Sequence, residues 1–274
     1  MEIQDLQRKS IHYRKTILRI IKQANAGHTG GSLSCIDILN VLYNRVMDIT
    51  PENFQAIERD HYIQSKGHSV EALYTVLADK GFFPRAELDS LNLFQSHFVG
   101  HPTRKVNGIE HNTGALGHGL SVSVGLALAA KQSGYGYRVF TLLGDGELAE
   151  GSSWEALMSA KQYKLDNLVI IIDRNTLQIT GRTEEVMGLE PLADKFAAFG
   201  CAVRICDGND IPTLIETFNK VPFEPGKPNL VFAQTTKGKG ISFIEDNVKW
   251  HHRVPSDEEF ATAIDELDRA EALL

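Results

Sequence analysis

The chain lacks the features that mark secreted, membrane-spanning or nucleic-acid-binding proteins. Its 274 residues contain three cysteines without the spacing of a disulfide framework or a zinc site, which favours a reducing compartment. No run of about 18 apolar residues could span a bilayer, and the first residues contain no apolar signal core. The formal charge of −7 argues against nucleic acid or an anionic membrane as a partner. We therefore expect a soluble, cytoplasmic protein that binds neither nucleic acid nor membranes.

Two common nucleotide-binding motifs are also missing. No G-x-G-x-x-G opens a helix after a strand, and no G-x-x-x-x-G-K-[ST] occurs. The short KGKG at 237–240 fits neither motif and is predicted to be a mobile turn. The dinucleotide-binding and P-loop hypotheses therefore lose their main support.

The chain does contain a regular alternation of apolar strands and helices. Such alternation predicts an α/β fold, with a doubly wound, mostly parallel sheet covered by helices on both faces, in one domain over 1–274. The small-residue apolar helix at 119–132 has no polar face and is predicted to be buried. Residues 81–113 are predicted to be mostly loop. The predicted strands are 61–64, 137–143, 168–173, 201–206 and 229–235, and the predicted helices are 3–25, 35–46, 70–80, 119–132, 152–164, 191–200, 210–220 and 256–274.

Acidic and amide side chains follow two neighbouring predicted strands. Asp145 stands in a Gly-Asp-Gly turn after one strand, and Asn175 follows the next. Both turns should open on the rim beyond the carboxyl ends of the strands, where ligands of such sheets bind. A carboxylate there would repel a phosphate unless a cation such as Mg²⁺ lay between them. The alternative, a plain turn at Asp145 with Asn175 as a helix cap, remains open from these residues alone.

Four of the ten histidines directly follow a glycine. Loops with this pattern suggest imidazoles that converge on a ligand, although any one of them could instead be a packing or surface histidine. Zinc is a rival explanation, but no H-x-x-x-H or H-E-x-x-H places two of these four histidines on one helical face. His12 and His61 are interpreted as structural. The four histidines of the pattern are His28, His68, His101 and His118.

These motifs together resemble the transketolase family. The segment GDGELAEGSSWEALMSAKQYKLDNLVIIIDRN resembles the thiamine-diphosphate motif, in which GDG precedes an Asn by about thirty residues. AGHTGGSLS, SKGHSVEALY, VGHPTR, NTGALGHGLSVSVGLALA and KWHHRVP follow in the transketolase order, so that the resemblance covers about residues 5–260. Departures occur at His118, where the family has Gln, and at Thr29, where it has Pro. The resemblance implies a thiamine-diphosphate-binding fold of the type that holds the diphosphate.

The resemblance implies a role for each matching residue. The metal, Mg²⁺ or else Ca²⁺ or Mn²⁺, would be held by Asp145, Asn175 and the backbone oxygen of Leu177. The diphosphate would contact His68, His251 and the N–H of Gly146. The substrate hydroxyls would face the catalytic histidines, which could exchange protons near neutral pH if their pKa values stayed near 6.5. The catalytic set is His28, His101 and His251, with His251 preferred to His252, and the cofactor-binding set is His68, Gly114, Leu116, Gly144, Asp145, Gly146, Glu150, Asn175 and His251.

The resemblance reaches only the first of the three transketolase domains. The pyrimidine-binding domain, with its catalytic glutamate, is therefore expected on a partner chain in an α2β2 heterotetramer. Glu150 resembles the buried acid that pairs across that subunit interface. The helix at 119–132 suits close packing there, although an ordinary central helix is an equally good interpretation.

The implied activity is transfer of a two-carbon ketol unit from a ketose phosphate to an aldose phosphate through a thiamine-diphosphate carbanion. The alternatives are a split transketolase for a sulfonated or branched ketose, a deoxyxylulose-phosphate synthase-like chain, a 2-oxo acid dehydrogenase α chain, and a non-catalytic scaffold homologue. The last is disfavoured because a scaffold has no use for a complete metal and diphosphate site.

Overall fold

A five-stranded parallel sheet forms the centre of the molecule in a computed structural model that describes all 274 residues. The order across the sheet is β1-β2-β3-β7-β6, and every neighbouring pair is parallel. A two-stranded antiparallel hairpin, β4 and β5, follows the central strand β3. The strands are β1 (His61–Gln64), β2 (Val139–Gly144), β3 (Leu168–Arg174), β4 (Leu177–Gln178), β5 (Gly181–Arg182), β6 (Ala202–Asp207) and β7 (Asn229–Gln234).

Nine α-helices connect and cover these strands. The last begins with the capping box expected from its sequence, in which Ser256 and Glu259 exchange side-chain to backbone hydrogen bonds. Asp210 caps the eighth helix by accepting a hydrogen bond from the N–H of Thr213. The helices are α1 (Ile3–Ala24), α2 (Thr29–Val41), α3 (Val70–Asp79), α4 (Gly119–Ser133), α5 (Gly151–Gln162), α6 (Thr183–Val186), α7 (Leu192–Ala198), α8 (Ile211–Phe218) and α9 (Asp257–Ala272).

Helices cover the sheet on both faces because successive strand side chains point in opposite directions. In β3, Val169 and Ile171 belong to the apolar core formed with α1, α2, α3, α8 and α9. Ile170 and Ile172 belong to the core formed with α4, α5 and α7. Each fully buried side chain of this size stabilises the fold by about 1.5–3 kcal/mol. The predicted doubly wound α/β fold is confirmed.

Three local predictions are wrong. Helix α2 begins at Thr29 rather than at 35, because tertiary packing makes the Gly-Gly-Ser stretch helical: an added Cβ on Gly30 would lie 2.7 Å from the carbonyl oxygen of Trp250. Helix α4 is not fully buried, since Ser121, Gly125 and Ala129 lie exposed along one side. The β4–β5 hairpin was not expected from a stretch with so few apolar residues. No helix has the length and apolar character needed to cross a membrane.

Candidate active site

The carboxyl ends of β2 and β3 bring the two predicted turns side by side. Gly144, the last residue of β2, is in register with Asp173 of β3. The N–H of Asp145 then donates to the carbonyl oxygen of Asp173 at 3.3 Å. Asp145 and Asn175 therefore leave the sheet next to each other on one rim, as the strand order requires.

A cavity of about 460 Å³ opens above this rim. Its size is typical of a pocket for a cofactor or another small molecule. It collects residues from eight separate segments of the chain, and every Gly-His motif but one contributes to it. The residues predicted from the sequence that line it are His28, His68, His101, Gly114, Leu116, Gly144, Asp145, Gly146, Asn175, Leu177 and His251.

The predicted metal ligands offer oxygen atoms of three kinds. Asp145 accepts hydrogen bonds from the N–H of Thr176 at 2.6 Å and from Arg174 at 3.1 Å. The amide oxygen of Asn175 accepts from the N–H of Leu177 at 3.1 Å. Burial, and then the nearby Asp173, raises the pKa of Asp145, so that a cation close to its carboxylate would relieve unfavourable charge. A carboxylate, an amide and a backbone carbonyl are ligands that suit a hard cation such as Mg²⁺.

A buried ion pair lies directly beneath these ligands. Lys66 pairs with Asp173, and both side chains are almost fully buried. Burial disfavours both charges, but the attraction between the two opposite charges and their hydrogen bond is stronger than this effect. As a result, the pKa of Lys66 is raised and the pKa of Asp173 is lowered. The side-chain N–H₂ of Asn175 donates to Asp173 and to Ser34, at 3.2 Å in each case. These bonds hold the amide so that its oxygen remains available as a ligand.

The cavity histidines form one cluster around His28. Its ring centroid lies 5.4 Å from that of His68, 6.1 Å from His101 and 5.8 Å from His251. Burial, followed by the neighbouring histidine and lysine side chains, lowers the pKa of His28 and of His251 to about 3. The expectation that these imidazoles titrate near neutral pH is therefore wrong for this chain: both are neutral hydrogen-bonding groups at pH 7. The Nδ1 atom of His28 is buried without a hydrogen-bond partner, so a ligand could satisfy it.

A glycine shapes the cavity wall at His101. Gly114 has a φ of +134°, and an added Cβ would lie 2.6 Å from the His101 ring. Both the backbone conformation and the lack of space therefore require glycine there. The absence of a side chain at Gly114 lets the His101 ring reach the cavity.

The turn predicted at 237–240 is present, but Lys237 within it is buried rather than part of a mobile surface turn. Its residue is 2% exposed, and its ammonium group donates to the carbonyl oxygen of Leu177 at 2.9 Å and bonds to Nδ1 of His251 at 2.8 Å. Burial, and then the charge of Lys66, lowers the pKa of Lys237 to about 8. An ammonium group held in this way fits an anionic ligand.

Some predicted residues lie outside the cavity. Glu150 is exposed at the N-terminal end of α5, not buried, and it does not line the cavity of this chain; its pairing with an acid across a subunit interface stays a prediction. His118 is also exposed, because it stands at the start of α4 and turns back to the carbonyl oxygen of Leu116. His12 and His61 pair with Glu271 and Glu110, in keeping with their structural interpretation.

Several cavity residues were not predicted from the sequence. Lys66 and Lys237 are the main omissions, together with Glu147, whose carboxylate lies in the cavity wall. A weak signal existed for the lysines, since each stands directly before a glycine in a motif already singled out. For Glu147 no signal existed, because a second acid after Gly-Asp-Gly is indistinguishable from surface charge.

The neutral histidines make the cofactor-free chain sensitive to mild acid. In the unfolded chain, both histidines bind protons below about pH 6.5, whereas in the folded chain His28 and His251 do so only near pH 3. The free energy of unfolding is therefore highest above pH 6.5 and decreases as the pH falls. We expect a loss of about 2 kcal/mol for each histidine between pH 7 and pH 5. Urea unfolding at the two pH values measures it.

Variants of the histidines separate the effect of His28 and His251 from a general sensitivity of the fold to acid. The double variant His28→Asn, His251→Asn should lose much less stability between the two pH values than the original chain. His97→Asn, at an exposed histidine outside the cavity, should behave like the original chain. An unchanged pH dependence in the double variant would contradict the assignment of neutral, buried imidazoles.

The sheet, the rim and the cavity together define an α/β domain with a small-molecule site beyond the carboxyl ends of its parallel strands. A family model described as "Transketolase, thiamine diphosphate binding domain" matches residues 7–267. The chain therefore belongs to the transketolase family, as its thiamine-diphosphate-binding domain.

Three similar proteins illustrate the relationship. The chain is 48% identical over 274 residues to an apulose-4-phosphate transketolase subunit of Phocaeicola vulgatus and covers 98% of that protein. It is 40% identical over 266 residues to the 6-deoxy-6-sulfo-D-fructose transketolase subunit SqwG of a Clostridium species, covering 97% of it. The crystal structure of transketolase from Campylobacter jejuni matches with a TM-score of 0.87 and 28% identity, covering 100% of this chain. The chain spans only 48% of that solved protein, whereas it matches the two subunits over nearly their whole length.

Proposed function

We propose that this chain is the N-terminal, diphosphate-binding subunit of a two-subunit transketolase. The complex transfers a two-carbon ketol unit from a ketose donor to an aldose phosphate. The observation that carries the proposal is the convergence of three of the four Gly-His motifs, the Gly-Asp-Gly turn and Asn175 on one cavity in a member of the transketolase family.

The residues present fit thiamine diphosphate with a divalent cation. Asp145, Asn175 and the backbone oxygen of Leu177 hold the metal, Mg²⁺ or else Ca²⁺ or Mn²⁺. No group of three or more His, Cys, Asp or Glu side chains is arranged to hold a metal alone, so oxygens of the diphosphate would have to complete the coordination. When bound, the cofactor supplies the carbanion that carries the ketol unit, and this chain orients its diphosphate end.

The polar groups of the cavity divide between the cofactor and the sugar. His68, His251 and the N–H of Gly146 contact the diphosphate, and Lys237 adds a positive charge beside His251. Gly144, Gly114 and Leu116 form the apolar and backbone wall along the cofactor. His28 and His101 face the sugar hydroxyls. Burial lowers the pKa of both imidazoles. They are therefore neutral, and they donate hydrogen bonds to the sugar hydroxyls or accept hydrogen bonds from them.

The second half of the active site comes from a partner chain. The relatives that this chain matches over nearly their full length are named as transketolase subunits, and the chain spans 48% of a solved transketolase chain. The partner supplies the pyrimidine-binding domain with its catalytic glutamate, and the assembly is an α2β2 heterotetramer. The exposed side of α4 and Glu150 face that partner.

A second, more specific version of the proposal is that the donor is an unusual ketose. The names of two relatives favour it, since they refer to apulose 4-phosphate and to 6-deoxy-6-sulfo-D-fructose. The 48% identity to the relative named for apulose 4-phosphate makes that sugar phosphate the first donor to test.

The test is reconstitution with the partner subunit. The isolated chain should show no ketol transfer and should bind thiamine diphosphate weakly, whereas the co-purified pair should bind it and transfer the ketol unit. A panel of ketose phosphates, apulose 4-phosphate and the sulfoketose, each offered with an aldose phosphate, identifies the donor. Full turnover by the isolated chain would overturn the split-site proposal. A cofactor-loaded complex that transfers no ketol unit from any donor would overturn the transketolase activity.

A further inference from the structure

A buried carboxylate beside the cavity has no part in the proposed chemistry. Glu147 stands in the short turn Gly146–Ala149 that follows the Gly-Asp-Gly turn, and its residue is 2% exposed. It lines the cavity, but it is not one of the proposed metal ligands. A charged side chain buried this deeply is stable only if it is well supplied with hydrogen-bond donors.

Three different loops supply those donors. Oε1 of Glu147 accepts from the hydroxyl of Ser65 and from the N–H of Gly117, the latter at 2.9 Å. Oε2 accepts from the N–H of Gly144 at 3.0 Å. We refer to residues 65–68, 114–119 and 144–146 as the three glycine loops. One carboxylate thus joins all three, although they are far apart in the sequence.

Each of the three glycine loops carries residues proposed to bind the cofactor. His68 lies in the first, Gly114 and Leu116 lie in the second, and Asp145 lies in the third. The first two loops also touch backbone to backbone, since an added Cβ on Gly67 would lie 2.7 Å from the backbone nitrogen of Gly114. The hydrogen bonds to Glu147 add to this contact in fixing the relative position of the loops.

We infer that Glu147 is a positioning residue that fixes the three glycine loops relative to one another, and so sets the spacing between the diphosphate site and the wall along the rest of the cofactor. This inference rests on the proposed cofactor site. Its hydrogen-bonding part concerns this chain alone and can be measured without the cofactor. Glu147 acts through the loops and not on the reacting atoms.

The variant Glu147→Gln isolates the hydrogen bonds with little change of shape. Both carboxylate oxygens accept from a backbone N–H, so either orientation of the amide turns its N–H₂ toward a group that can only donate. We expect faster amide hydrogen exchange in peptides that contain Gly117 and Gly144 in the cofactor-free chain. In the complex with the partner subunit, we expect the Kd of thiamine diphosphate to rise at least about tenfold with Mg²⁺ held constant. At saturating cofactor, kcat should change little.

Two further variants make the result decisive. Glu147→Asp keeps the charge but is too short to reach all three donors, so an intermediate rise in Kd supports positioning and covers the case in which the Gln variant does not fold. Glu216→Gln, on the exposed side of α8, is the matched control and should leave exchange and Kd unchanged. Original exchange rates and original Kd in both Glu147 variants would overturn the inference. If the original complex bound no thiamine diphosphate, the proposed function would fail, while the exchange result would still decide whether Glu147 holds the loops.

Discussion

Replacing Asp145 with alanine should abolish metal-dependent binding of thiamine diphosphate and leave the fold intact. The substitution removes the only carboxylate among the three proposed metal ligands, and the remaining amide and carbonyl oxygens carry no charge to attract Mg²⁺. We expect the Kd of the cofactor in the complex to rise at least about 100-fold, which corresponds to about 2.7 kcal/mol. Calorimetric titration with and without Mg²⁺ measures the change.

The fold should survive because burial makes the Asp145 carboxylate electrostatically unfavourable in the cofactor-free chain. Burial and the neighbouring Asp173 raise its pKa, and Arg174 keeps two other carboxylate partners, Glu184 and Glu190. The thermal midpoint of the cofactor-free variant should therefore stay close to that of the original chain. Asp89→Asn, at an exposed acid paired with Arg19, is the control. Unchanged, Mg²⁺-dependent binding in Asp145→Ala would reject the metal assignment.

The sequence predicted the parts of the fold that depend on local pattern and on general rules of α/β sheets. The run of Val and Ile in β3 fits only a strand buried on both faces, and its observed bounds, Leu168–Arg174, differ from the prediction by one residue. The adjacency of Asp145 and Asn175 followed from parallel strand order and not from either motif. Site residues that are positioned by the end of a strand could therefore be predicted from the sequence.

The sequence could not predict features that depend on contacts between distant segments. Lys66 is buried because it pairs with Asp173, 107 residues away, and Lys237 is buried because it reaches Leu177, 60 residues away. The only local sign that these lysines differ from surface lysines is the glycine that follows each of them. The lowered pKa values of the histidines have the same origin, since burial by other segments is the largest cause at both His28 and His251.

The exposed side of α4 has an unusual composition for a free surface. Ser121, Gly125 and Ala129 recur at the four-residue spacing that places them along one side of the helix, and all three are exposed. Gly125 lies in the middle of the helix, where glycine costs about 1 kcal/mol relative to alanine. An added Cβ there would meet no atom within 4 Å. Since nothing within this chain requires glycine at 125, close packing against another chain is the explanation that we favour.

The variant Gly125→Leu should therefore keep the chain folded and prevent assembly with the partner subunit. Leucine raises helix propensity by about 0.8 kcal/mol relative to glycine, so the thermal midpoint of the isolated chain should stay the same or rise. At a close-packed interface the same side chain has no space, and overpacking of this kind costs about 1–3 kcal/mol or more. We expect loss of the complex in gel filtration and, with it, loss of ketol transfer and of tight cofactor binding. Gly136→Leu adds the same side chain where it also meets no atom within 4 Å, but in the loop after α4, and should assemble normally. An intact, fully active complex with Gly125→Leu would show that the partner interface does not include this side of α4, because a close-packed contact there could not accommodate leucine.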